Sequence, residues 1–134
     1  MLLALLLVPI LAACGSGTSS DAVLEAEVDV ANLPDTIDVE TTAAIKDRDD
    51  VVLLDVREQW EYDEAHIPGV TLVPMSEVPF RLDEIPTDKT VVLTCRSGNR
   101  SGQTLAFLQE NGFTNVHNMA GGILAWQAAG FEVE

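Results

Sequence analysis

Two short runs do most to limit what this chain can fold into: VVLLD at 51–55 and VVLTC at 91–95. Each is an unbroken stretch of β-branched and leucine side chains, polar only at its end. A strand with one wet face alternates apolar and polar residues, so unbroken runs belong to strands covered on both faces, as in parallel sheets. VTLVP (70–74) and NVHNM (115–119) are weaker strand candidates. Amphipathic stretches lie between them. TTAAIKD (41–47) follows Ile37-Asp38-Val39, and SEVPFRLDEI (76–85) opens on Ser76 as an N-cap and stops at Pro86. SGQTLAFLQENG (101–112) turns Leu105, Phe107 and Leu108 to the core and ends at Gly112, and ILAWQAAG (123–130) closes at Gly130. Strand alternating with helix predicts an α/β fold, a parallel sheet with helices on both faces. No internal repeat is present.

The 134 residues fit one domain, and a 47% hydrophobic content suffices for its interior. A net charge of -15 argues against nucleic acid or anionic headgroups as partners, since both need a basic footprint. Asp21, Glu25, Glu27, Asp29, Asp35, Asp38 and Glu40 form a dense acidic stretch without a histidine. It is expected to be a solvated spacer rather than a metal site, and no cofactor is expected.

The opening MLLALLLVPILAAC is apolar up to Ala13 but shorter than the roughly 20 residues a membrane-spanning helix needs. It fits the apolar core of an export signal. Leu11-Ala12-Ala13-Cys14 resembles the bacterial lipobox, which implies that Cys14 is acylated and begins the mature chain. An ordinary cleaved signal is the alternative. The expected organisation is a signal peptide over 1–13, a lipid-anchored flexible linker over 14–32 that starts with Gly-Ser-Gly-Thr-Ser-Ser, and a catalytic domain over 33–134. The protein would then be exported and held by its lipid alone on the outer side of the bacterial cell membrane or in the periplasm.

The chain has only seven lysines and arginines, yet Arg96 and Arg100 both fall within five residues of Cys95 in TCRSGNRSG (94–102). The contexts of Cys14 and Cys95 differ too much to suggest a disulfide between them. Cys95 ends a strand, and ligands of parallel sheets bind beyond the carboxyl ends of their strands. A thiol attacks as thiolate, and an unperturbed cysteine has a pKa of about 8.5. Unpaired N–H groups of the loop and of the helix start behind it would lower that value. Gly98 and Gly102 would let the backbone close around the sulfur. The arginines add forked donors suited to an oxyanion, each contact contributing roughly 1.5–3 kcal/mol. The sulfur must then be reachable from solvent. The bland alternative is a structural cysteine beside two solvated arginines.

DVRE (55–58), HIPG (66–69), CRSGNR (95–100) and GGILAW (121–126) together resemble the single-domain rhodaneses, over roughly residue 33 to the end. The resemblance implies a central five-stranded parallel sheet and a cysteine that carries sulfur as a persulfide. Cys95 would attack the outer sulfur of an anionic donor such as thiosulfate, sulfite would leave, and a thiol or cyanide would collect the sulfur. Main-chain N–H groups of Arg96, Ser97, Gly98, Asn99, Arg100 and Ser101 would cradle the persulfide. Arg96 and Arg100 would hold the sulfonate oxygens, while Asp55 and Arg57 would brace the loop. An already ionised thiol needs no general base. His66, in a turn where Ala65 replaces the family's commoner glycine, and His117 are therefore expected to be structural. Trp60, Tyr62 and Trp126 are expected as core or rim aromatics, and Gly121 and Gly122 as points of close backbone approach.

Two other readings compete. Phosphatases related to the rhodaneses carry Cys-x5-Arg, whereas Cys95 to Arg100 is Cys-x4-Arg, a smaller loop that suits a sulfane sulfur better than a phosphate. A protein persulfide carrier that uses thiosulfate poorly, or a partner-binding module, would keep the fold without this donor.

Overall fold

A computed structural model describes residues 27–134, so the leader, Cys14 and most of the linker lie outside the described residues. The element order is β1 (Thr36–Ile37), α1 (Val39–Ile45), β2 (Val51–Asp55), α2 (Gln59–Glu64), β3 (Thr71–Leu72), β4 (Thr90–Thr94), α3 (Asn99–Glu110), β5 (Val116–Met119) and α4 (Gly122–Ala128). All five strands pair in parallel in the order β1-β5-β4-β2-β3. The α/β architecture expected from the two apolar runs is thus present, and those runs are β2 and β4 at the middle of the sheet.

Residues of β4 alternate between the two faces and are covered on both. Val92 joins Val51 and Leu53 of β2, Ile45 of α1, and Ile123 and Trp126 of α4. Val91, Leu93 and Cys95 face the other way and pack with Leu54, with Val78 and Ile85, and with Leu105 and Leu108 of α3. Both faces are dry, which explains why these strands lack polar alternation.

Two expectations about local structure need correction, and one helix was not expected. Residues 76–85 are not one helix: they form two short 3-10 turns, Val78–Phe80 and Leu82–Glu84. Their hydrogen bonds span three residues rather than four, from the Arg81 N–H to the Val78 carbonyl at 3.1 Å and from the Ile85 N–H to the Leu82 carbonyl at 3.2 Å. Helix α1 starts at Val39, earlier than the apolar pattern suggests, because the Asp38 carboxylate accepts from the Thr41 N–H at 2.7 Å and acts as its N-cap. Helix α2 has no counterpart in the apolar pattern, being six residues long and rich in polar side chains.

After β2 the chain moves to β3 on one side, and after β4 it moves to β5 on the other. The segments leaving β2 and β4 therefore diverge, and a crevice opens between them at the carboxyl end of the sheet. Val56, Arg57 and α2 form one wall of it, and the loop after Cys95 the other.

Candidate active site

Cys95 follows the last residue of β4, and its Sγ is held from the loop beneath it. The Gly98 N–H donates to Sγ at 3.0 Å and the Ser101 hydroxyl at 3.3 Å. The loop can curl this tightly because Gly98 sits at φ 93°, a conformation that side-chain-bearing residues rarely adopt. Asn99 then opens α3, whose first N–H groups lack helical acceptors and face the loop.

Helix α4 shapes the same loop from outside. The Ile123 N–H donates to the Cys95 carbonyl at 2.8 Å and the Leu124 N–H to the Arg96 carbonyl at 3.2 Å. With their carbonyls bound outward, these peptide units leave the following N–H groups to the sulfur side. Such contact needs Gly122, where a Cβ would collide with the Cys95 and Arg96 carbonyl groups. Asn118 of β5 adds a 3.3 Å bond to the Gly98 carbonyl. The expected close backbone approach at Gly121 and Gly122 is therefore an approach to the cysteine loop itself. Gly102, expected to let the backbone close on the sulfur, instead lies near the Asn118 amide.

Burial raises the pKa of the Cys95 thiol. Hydrogen bonds from the Ser101 hydroxyl and from the N–H groups of Ser101, Gly98 and Ser97 outweigh it, and the thiol ends below its ordinary value. The largest lowering contributions come from these hydrogen bonds, and the thiolate and the Arg100 guanidinium also attract one another. One expectation is not met in this conformation: Cys95 keeps only 1% of its surface, so its sulfur is covered rather than open.

The two arginines part company. Arg96 is exposed, and it is the one arginine without a carboxylate partner among the described residues. Arg100, expected to take donor oxygens, has both terminal nitrogens on the Glu61 carboxylate at 2.7 Å each. Glu61 was not singled out by the sequence, and its only signal there is an acid within a short polar helix. The Arg100 guanidinium holds the Glu61 carboxyl down to about 2, against the opposing effect of burial.

Asp55 and Arg57 are both buried and bound to each other, with Arg57 Nη2 to Asp55 Oδ2 at 2.6 Å. Arg57 also donates to the main-chain carbonyls of Glu61 at 3.3 Å and Ala65 at 2.8 Å. The brace expected of this pair thus reaches the loop indirectly, through α2. Ser97 and Asn99 are exposed on the loop, and Ser101 is buried. His66 Nδ1 lies 2.9 Å from the Tyr62 carbonyl and its ring stacks on Tyr62, while His117 Nδ1 lies 2.7 Å from the Pro34 carbonyl. Neither touches the sulfur. Trp126 is core, whereas Trp60 is largely exposed.

A cleft of about 210 Å³ opens beside the loop, bounded by Arg57, Trp60, Glu61, Arg96, Leu124 and Gln127 among others. A larger cavity of about 350 Å³ lies at the opposite end of the sheet, near Lys89, Thr90 and His117. It lies at the start of β4, the end opposite Cys95, so chemistry rather than size identifies the site. Among the described residues no cluster of histidine, cysteine and acidic side chains could hold a metal ion.

A cysteine loop at the end of a central parallel strand, lined with N–H donors, is a thiolate site for group transfer. The rhodanese-like domain model matches residues 38–129, and the chain belongs to that family. It is 42% identical over 89 residues to a sulfurtransferase of Allochromatium vinosum, covering 66% of this chain and 83% of that protein. It is 32% identical to the thiosulfate sulfurtransferase GlpE of Pseudoalteromonas translucida, over 69% of this chain and 89% of that one. Among solved structures, a rhodanese-related protein of Thermoplasma volcanium superposes with a TM-score of 0.68 at 28% identity, covering 75% of this chain and 98% of its own. These similarities support a role in sulfur transfer.

Proposed function

We propose that the protein is a sulfurtransferase that moves sulfane sulfur from thiosulfate, through a persulfide on Cys95, to a thiol or cyanide. The observation that carries this reading is the Cys95 sulfur, hydrogen-bonded by Gly98 and Ser101 and lowered in pKa without a general base. The thiolate attacks the outer sulfur of thiosulfate. A bond forms between Sγ and that sulfur, the original S–S bond breaks, and sulfite leaves with the electron pair. The persulfide anion keeps one negative charge inside the ring of N–H groups. An acceptor thiolate or cyanide then attacks the outer sulfur and returns Cys95 to its thiolate, so the two half-reactions give ping-pong kinetics. Arg96, exposed beside the cleft, is the guanidinium available to the donor's sulfonate oxygens.

Because Cys95 is covered, the residues around Sγ shift to admit the donor. We also propose, from the lipobox-like Leu11-Ala12-Ala13-Cys14 alone, that the protein is exported and lipid-anchored through Cys14. Mass spectrometry after incubation with thiosulfate tests the chemistry directly. One extra sulfur on Cys95, lost in Cys95→Ser and removed by cyanide or a thiol, is the expected result. An unchanged mass with thiosulfate that becomes one sulfur heavier with a protein persulfide would instead identify a carrier.

A further inference from the structure

The ion pair between Arg100 and Glu61 joins the root of α3 to α2 with two parallel bonds of 2.7 Å. The carboxylate also accepts from the Glu58 N–H at 3.0 Å, and its side chain is only 8% exposed. Beneath it, Arg57 binds the Glu61 and Ala65 main-chain carbonyls while locked to Asp55. Glu61 is thereby fixed to the end of β2 and reaches across the crevice. Its partner is the residue immediately before Ser101, whose hydroxyl touches Sγ. A forked guanidinium held on both oxygens has one orientation, unlike a single-point contact.

We propose that Glu61 is a positioning residue for sulfur transfer. It clamps Arg100, sets the first turn of α3 against α2, and so aims the Ser101 hydroxyl and the loop N–H groups at Cys95. Arg96 is left as the guanidinium that binds the donor. The second part rests on the sulfurtransferase reading; the clamp itself is readable from thiol reactivity alone.

Charge by itself predicts the opposite behaviour, which makes the proposal testable. The charged groups around the thiol and its cleft are Arg96 and Arg100 from the loop and α3, Asp55 and Arg57 from the end of β2, and Glu61 and Glu64 from α2. Strand β5 presents the neutral Asn118, and α4 carries no charged side chain. Removing the negative charge of Glu61 would, as charge alone, favour the thiolate and free Arg100 for the donor. Losing a clamp would disfavour the thiolate.

The experiment compares the full chain with Glu61→Gln, Arg100→Lys and Arg96→Ala in two assays. One is alkylation of Cys95 by the neutral reagent iodoacetamide as a function of pH, and the other is steady-state turnover of thiosulfate. For Glu61→Gln, neutral-pH alkylation should slow about tenfold with its midpoint moved upward, while KM changes less than about twofold. Arg100→Lys, which keeps the charge but loses the fork, should follow it. Arg96→Ala should instead raise KM about tenfold. The proposal is overturned if Glu61→Gln alkylates as fast as wild type or with a lowered midpoint, if Arg100→Lys behaves as wild type, or if Glu61→Gln raises KM as Arg96→Ala does. Should Glu61→Gln not fold, Arg100→Lys carries the same readout. If the wild type does not turn over thiosulfate, the sulfurtransferase reading fails, and alkylation still decides the clamp.

Discussion

Ser101 and Cys95 show how little separates a reactive thiol from a core one. Both are buried, and burial alone would keep the sulfur protonated. Short donors reverse that, with the Ser101 hydroxyl the largest favourable contribution. The sign for Ser101→Ala follows: the depressed pKa moves back up, so less thiolate is present at neutral pH. Alkylation of Cys95 at neutral pH should slow several-fold, and the gap should close at a pH well above the pKa of both forms. Equal rates at neutral pH would mean that the N–H groups suffice. At this scale the sequence was partly legible. Cys95, Arg96 and Arg100 announced themselves as scarce positive charge beside a thiol, but nothing in their spacing told that Arg100 is held by an acid thirty-nine residues away.

Among the elements, α4 contributes most to the loop without supplying a side chain to it. Its first N–H groups take the Cys95 and Arg96 carbonyls, which works only while Gly122 has no Cβ. Gly122→Ala should push α4 away from the loop, lowering stability by about 1–3 kcal/mol. It should also slow Cys95 alkylation although every loop residue is unchanged; a thermal melt and a timed alkylation read both effects. GGILAW could be recognised in the sequence, yet its hydrogen bonds to the loop are tertiary. Helix α2 was not recognised, because six residues, four of them polar, are too short to show an apolar period, although it carries Glu61. The segment over 76–85 misled in the opposite sense. Its apolar spacing suits a helix, and the chain forms two short 3-10 turns instead.

Over the whole molecule, a charge of -15 would oppose the proposed anionic donor at long range, while Arg96, in the proposed role, would attract it at contact. Salt screens the first effect over about 8 Å at physiological strength and weakens the second far less once the donor is seated. Thiosulfate turnover should therefore rise on the first additions of salt and fall only at higher concentration, as followed by initial rates at fixed thiosulfate. A steady fall from the lowest salt would mean that local attraction governs the encounter as well.

The sequence by itself pointed to the sheet, because short β-branched apolar runs suit strands dry on both faces, and it pointed to the cysteine loop, because glycine, serine and arginine beside a strand-end cysteine are local features. Tertiary structure alone decided which arginine stays free, that α4 orients the loop carbonyls, and that the sulfur is covered at rest. Each of those depends on groups far apart in the chain that meet only when the sheet brings β2, β4 and β5 side by side.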